Sequence, residues 1–180
     1  MQNWRYTKRL LLLPLPQTAI LGFGNPVRSD DGIGCYVIEQ LKARPELPPH
    51  VSLFDMGTSA FEVLFKLAGH ERLIIVDAVV NTGEPAGTLY RLPAEAVAAA
   101  VQDDPMVFLH SLKWDQALSY AKKILRENYP ADIAVYLIAV DDTHLDIGLS
   151  DAVRAAGDQV LTHILDECLA PEKLPPAAAR

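Results

Sequence analysis

The sequence predicts an α/β fold, a three-layer sandwich in which a mostly parallel, twisted sheet carries helices on both faces. Three observations predict it. Short apolar runs alternate with amphipathic stretches along most of the 180 residues. Leu73 to Ala78 (Leu-Ile-Ile-Val-Asp-Ala) is apolar on both strand faces, as a central parallel strand must be. The stretches between the runs carry helical stripes, and strand–helix alternation of this kind gives a parallel sheet with covered faces.

Taken in order, residues 1–17 read as an irregular arm, in which Pro14 and Pro16 interrupt the apolar Leu10 to Leu13. No small-residue cleavage site follows, so the arm does not read as a secretory signal. Thr18 to Phe23 is a buried strand, and Gly32 to Ala43 a helix with Ile33, Val37 and Leu41 spaced by fours. Pro45, Pro48 and Pro49 then punctuate the chain. Val51 to Phe54 is a second strand, Phe61 to Leu67 a short helix, Leu73 to Ala78 the central strand and Gly87 to Leu92 a further strand. Glu95 to Val101 reads as a short helix, and Asp103-Asp104 as solvated surface. Ser111 to Asn128 aligns Trp114, Ala117, Leu118, Ala121 and Leu125 on one helical face behind a Ser111 N-cap. Ile133 to Val140 is the last strand and Ser150 to Leu169 the longest helix. The organisation is one domain over 18–170, followed by a Pro/Ala-rich tail over 171–180.

Composition narrows the functional classes. Hydrophobic residues make up 50% and charged residues 22%, which excludes a chain disordered throughout. A compact domain of this length buries roughly 70% of its unfolded surface, enough for a sizeable core. Sixteen Lys and Arg against 23 Asp and Glu leave a net charge of −7, which counts against a nucleic-acid binder. No apolar run approaches the ~18 residues of a membrane span. Cys35 and Cys168 form no CxxC, so neither a disulfide framework nor a structural zinc site is expected. The expectation is a cytoplasmic protein without membrane or nucleic-acid partners.

In an open parallel sheet, ligands sit beyond the carboxyl ends of the strands. Gly22-x-Gly24-Asn25 through Asp30-Asp31-Gly32-x-Gly34 follows the first strand, Asp55-x-Gly57-Thr58 the second, and Asp77 closes the third. His110 immediately precedes the Ser111 helix, and Asp141, Asp142 and His144 follow the last strand. Gly22-x-Gly24 invites a dinucleotide reading, but Val27 stands where the third glycine belongs. Two aspartates in the loop would also repel a pyrophosphate. The acids suit a metal better. Asp31, Asp77 and His110 would supply two hard oxygens and one borderline nitrogen, leaving positions open for other groups. The plainer alternatives stay open: an Asp at a helix N-terminus, an Asp in a turn, a packing histidine. Asp55 and Thr58 lie on the same rim, either shaping substrate selection or simply turning the chain.

Together, Gly22-x-Gly24-Asn25, Asp30-Asp31-Gly32-x-Gly34, Asp55-x-Gly57-Thr58, Val76-Asp77-Ala78, Gly83-x-Pro85-x-Gly87-Thr88 and His110-Ser111-Leu112 resemble, in order, the motifs of the hydrogenase maturation endopeptidases. The resemblance runs from about Ile20 to Leu169. It implies an α/β sandwich that removes a short C-terminal extension from the nickel-iron hydrogenase large-subunit precursor after nickel insertion. It also implies that Asp31, Asp77 and His110 bind metal and mark the active region. The nickel would come with the precursor, while zinc or cadmium could replace it in vitro. The arm before Thr18 is longer than a minimal member needs.

Nothing in the sequence offers an activated nucleophile. Cys35 has no histidine and acid relay and reads as core, and Ser59 and Ser111 lack a triad. Peptide hydrolysis would then need water activated by a carboxylate or a metal. Gly24-Asn25-Pro26 also resembles the turn of peptidyl-tRNA hydrolases, but their histidine segment is absent. A non-catalytic chaperone sensing nickel in the large subunit would carry the same ligand residues as a protease.

Overall fold

The computed structural model describes residues 16–59, 62–93, 118, 121–141 and 143–169. The arm before Pro16, the tail, His110, Asp142, residues 95–101 and most of the helix expected over Ser111 to Asn128 lie outside these residues.

Among the described residues the chain forms a five-stranded sheet in the order β2-β1-β3-β5-β4. The strands are β1 (Thr18–Phe23), β2 (Val51–Gly57), β3 (Arg72–Val79), β4 (Leu89–Pro93) and β5 (Asp132–Ala139). β1, β2, β3 and β5 run parallel, and β4 pairs antiparallel with β5 at one edge. A one-turn 3-10 helix, Ser29–Gly32, leads directly into α1 (Ile33–Lys42), and α2 (Val63–Lys66) and α3 (Asp151–Leu169) follow. Every residue of β3 is buried, as its two-faced apolar run predicts.

Strand alternation sorts the core into two layers. Ala19, Leu21, Phe23, Leu73, Ile75, Val135 and Leu137 face one side, where α2, Leu118 and Ala121 cover them. Ile20, Ile74, Val76, Tyr136 and Ile138 face the other, under α1 and α3. The α/β sandwich expected from the sequence is therefore the fold observed.

The strand ends differ in one useful way. β2 runs on to Gly57 instead of stopping at Phe54, because Met56 turns inward beside Phe54. A register shift opposite Gly22 and Phe23 absorbs the extra residue. Asp55 thus lies within β2, level with Gly22, and not in a turn after the strand.

α1 sits unusually close to the sheet. A Cβ on Gly34 would lie 2.1 Å from the Phe23 carbonyl oxygen and 2.6 Å from that of Val76. The amino end of α1 therefore rests directly on the carboxyl ends of β1 and β3, an approach only glycine allows.

α3 is pinned at both ends. At its start, Ser150 Oγ accepts from the Val153 N–H at 3.4 Å as an N-cap. Ser150 in turn donates through its N–H and Oγ to the Asp30 carboxylate, at 2.6 and 2.9 Å. At its far end, Glu167 pairs with the buried Arg72 guanidinium and with Arg91, and accepts from the Tyr136 hydroxyl at 2.6 Å. Arg72 also pairs with Asp132 at 3.0 Å. Burial raises the Glu167 pKa, but hydrogen bonds from Tyr136 and Arg91 and the charges of Arg72 and Arg91 outweigh it and hold the carboxyl low. Burial and the same carboxylate push the Tyr136 hydroxyl well above its ordinary range.

Candidate active site at the carboxyl edge of the sheet

The chain leaves β1 towards β2 on one side and later returns to β3 on the other, so the strand order reverses at β1. Between the carboxyl ends of β1 and β3 lies the topological switch point where open α/β sheets bind ligands. Asp31 and Asp77 flank it.

Asp31 belongs to the 3-10 turn that follows β1 and packs against β3. Its side chain is buried, with Oδ2 accepting from the Asn25 N–H at 3.1 Å. The carbonyl of Asp31 accepts from the same N–H at 3.2 Å. Oδ1 takes no part in that contact. The loop can close this tightly because Gly24 has φ +136°, and a Cβ there would lie 1.8 Å from the Asp31 carbonyl oxygen.

Asp30 does something different from its neighbour. Its carboxylate is spent on Ser150, so it locks the β1 loop to the start of α3. The helix N-terminus reading weighed for these aspartates applies to Asp30, at a helix 120 residues distant in sequence.

Asp77 is buried in β3, its Oδ1 accepting from the Ala78 N–H at 2.8 Å. Alternation places it with Leu73, Ile75 and Val79, on the sheet face covered by Leu118 and Ala121. Asp55 alternates with Leu53 and Val51, on the opposite face beside α1. Asp77 and Asp55 thus reach the carboxyl edge from opposite faces of the sheet, and the charges of both act on the Cys35 thiol. Asp55 Oδ1 accepts from the Gly57 N–H at 3.1 Å, and Asp55 and Thr58 are both exposed.

Among the described residues, no group of three His, Cys, Asp or Glu side chains could hold a metal ion. Asp31 and Asp77 are the two members of the expected ligand set within them; His110 lies outside. The donor chemistry of the pair, two buried carboxylates on adjoining elements, fits a hard or borderline divalent cation once a third donor joins.

Cys35 follows Asp31 by one helical turn and donates weakly to the Gly24 carbonyl, Sγ to O 3.5 Å. Burial, then the hydrogen bond and charge of Asp55, push the thiol up to about 12; the Gly57 backbone opposes this and the Asp77 charge adds to it. Such a group stays a neutral thiol and is no nucleophile at neutral pH. Cys35 is buried, as its core reading expects, and it also borders an open cleft of about 670 Å³.

That cleft holds what the sequence reading missed. Its lining includes Pro26, Gly32, Tyr36, Glu39, Lys42, Asp55, Arg154 and the segment Ile147 to Leu149. In the post-strand loop, whose Asp141, Asp142 and His144 the sequence singles out, it is Ile147 to Leu149 that line the cleft among the described residues. The loop is carried there by backbone contacts, the Ser29 N–H donating to the Asp146 carbonyl at 2.9 Å and Arg28 bridging Asp146. Such contacts leave no signature in side-chain identity. His144 stands 3.7 Å from Asp146 in an exposed pair.

The family model described as hydrogenase maturation protease matches residues 35–167. Hydrogenase 2 maturation protease of Escherichia coli (strain K12) is 30% identical over 146 residues, 81% of this chain and 87% of that protein. The hydrogenase expression/formation protein HoxM of Cupriavidus necator is 32% identical over 115 residues, 64% of this chain but 55% of that longer protein. Among solved structures, an endopeptidase from Escherichia coli superposes with a TM-score of 0.75 at 28% identity, covering 88% of this chain and 94% of that one. The hydrogenase maturating endopeptidase HybD from E. coli gives 0.69 at 29% identity, covering 82% and 89%.

Proposed function

The chain belongs to the hydrogenase maturation protease family, and from that premise we propose that it removes the C-terminal extension of a nickel-iron hydrogenase large-subunit precursor after nickel has been inserted. The observation that carries the proposal is the pair of buried carboxylates, Asp31 and Asp77, flanking the topological switch point of a fold shared with HybD.

In this reading nickel arrives as part of the substrate. Asp31 and Asp77, with His110 as the third donor, contact the nickel already held in the precursor and so fix the scissile peptide over the switch point. A metal so held adds positive charge beside the peptide, favouring charge that develops on the carbonyl oxygen. One of the two carboxylates takes the proton of the attacking water, and the departing peptide nitrogen leaves as an amine after gaining a proton. The neutral thiol of Cys35 takes no part. Zinc or cadmium would occupy the same donors as surrogates. Asp55, on the opposite face of the sheet from Asp77, serves the substrate peptide and not the metal; Thr58 sits beside it on the exposed turn.

The test is processing of nickel-loaded precursor by Asp31→Asn, Asp77→Asn and His110→Ala. Each variant is expected to keep the parent far-UV circular dichroism and lose cleavage. Processing at the parent rate by any of the three removes that residue from the mechanism.

A further inference from the structure

The cleft beside Asp31 has a shape and composition that the ligand set does not account for. Gly32, Cys35, Tyr36, Glu39 and Lys42 of its lining recur at helical spacing, so its floor is one face of α1. From Gly32 to Lys42 that face is about 15 Å long at ~1.5 Å per residue. An extended peptide rises ~3.3 Å per residue, so about four or five residues would fill it.

One wall is Asp55 at the end of β2, and the other is Ile147 to Leu149 with Arg154 of α3. Ile147 is 84% exposed, so this wall of the mouth presents an apolar side chain to solvent. This mouth is already ordered. Ser29 and Arg28 hold Asp146, Asp30 holds Ser150, and the Arg154 guanidinium lies 5.5 Å from the Tyr36 ring centroid.

We infer that this groove seats an extended segment of the precursor polypeptide, running from the Asp31 end along α1, with an apolar side chain lodged against Ile147. The inference rests on the proteolytic reading above and names the binding surface for its substrate. The charges select this occupant. Asp55 and Glu39 would repel a phosphate-bearing ligand, and Lys42 and Arg154 would repel a second cation. A polypeptide has a neutral backbone and side chains of either sign, so it can satisfy both pairs. Because the groove is pre-ordered, little conformational freedom is lost in forming it.

The experiment uses the full chain and a nickel-loaded hydrogenase large-subunit precursor. A photoreactive benzoylphenylalanine at Glu39 is expected to crosslink to precursor residues flanking the scissile bond. Crosslinks confined to other parts of the precursor, or none, overturn the inference. In parallel, Ile147→Asp and Lys42→Glu are expected to raise KM roughly tenfold with kcat within about twofold, the signature of lost substrate binding. Ile147→Leu should restore the parent KM. Phe65→Asp, an exposed apolar residue of α2 on the opposite side of the sheet, is the control and should cleave as the parent does. Parent kcat/KM in both groove variants overturns the groove while leaving the protease reading intact. No cleavage by the parent overturns the protease reading, and the Glu39 crosslink then decides the groove by itself.

Discussion

The main-chain N–H of Asn25 is shared between two oxygens of Asp31, the carbonyl at 3.2 Å and the carboxylate Oδ2 at 3.1 Å. This fixes the orientation of the carboxylate from within its own loop, before any ligand arrives. The closure depends on Gly24, whose positive φ brings the chain against the Asp31 carbonyl. Gly24→Ala combines a disfavoured φ with a clash against backbone, and should destabilise the fold by more than about 2 kcal/mol. Urea denaturation checks this, and a stability equal to the parent would mean that the loop is looser than described.

Asp30 and Asp31 should separate cleanly by mutation. Asp30→Ala removes the acceptor for both Ser150 bonds, each to a charged group, and should cost about 1.5–3 kcal/mol. Asp31→Asn should leave the melting temperature near the parent value and abolish processing. Thermal unfolding and a cleavage assay on the two variants give the comparison; equal stability losses would erase the division of roles.

Cys35 gives a pH prediction. Its thiol is raised from 9.0 to about 12 in the fold. The unfolded chain therefore loses its proton first, and the stability contributed by the neutral buried thiol is present below pH 9 and lost as pH rises towards 12. At pH 8 the thiolate fraction is roughly a thousandfold below that of an unshifted thiol. Iodoacetamide labelling of a Cys168→Ser background should be slow in the folded protein and fast in urea. Cys35→Ala should retain cleavage, which a catalytic thiol would not survive.

The network at the far end of α3 should matter to stability and not to chemistry. Glu167→Gln leaves the buried Arg72 guanidinium with Asp132 as its remaining anionic partner, and should cost less than the roughly 3–5 kcal/mol of a buried pair left wholly uncompensated. Because the Glu167 carboxyl is held below its ordinary value, its contribution is present above that value and is lost as pH falls through the lowered one. Chemical denaturation at neutral and acid pH should show the gap between variant and parent narrowing in acid. A constant gap would assign the cost to packing alone.

Much of this was legible in the sequence because it follows from periodicity. The two-faced run around Ile75 marks a central strand, and Ile33, Val37 and Leu41 mark the inward stripe of α1. Asp31 and Asp77 stand out because glycine-rich turns and a buried strand end restrict where an acid can go. What the sequence conceals is where β2 ends, and so whether Asp55 belongs to the strand or to a turn after it. Asp55 is level with Gly22 and Val76, so alternation alone turns it away from Asp77; what no residue pattern announces is the shift after Asp55 that carries β2 on to Gly57. The use of Asp30 is equally hidden, since its partner Ser150 is brought near only by the tertiary fold. The Ile147 wall of the cleft hangs on backbone bonds to Asp146, which any residue can make.

The central claim is nickel-dependent proteolysis, and the most direct measurement is the intact mass of a hydrogenase large-subunit precursor after incubation with this protein. Nickel-loaded and nickel-free precursor would be run side by side, with nickel content and binding verified. The account predicts loss of a C-terminal fragment from the loaded form alone. Binding to loaded precursor with no change of mass in either form would contradict it, and would make the protein a sensor of nickel insertion instead of a protease.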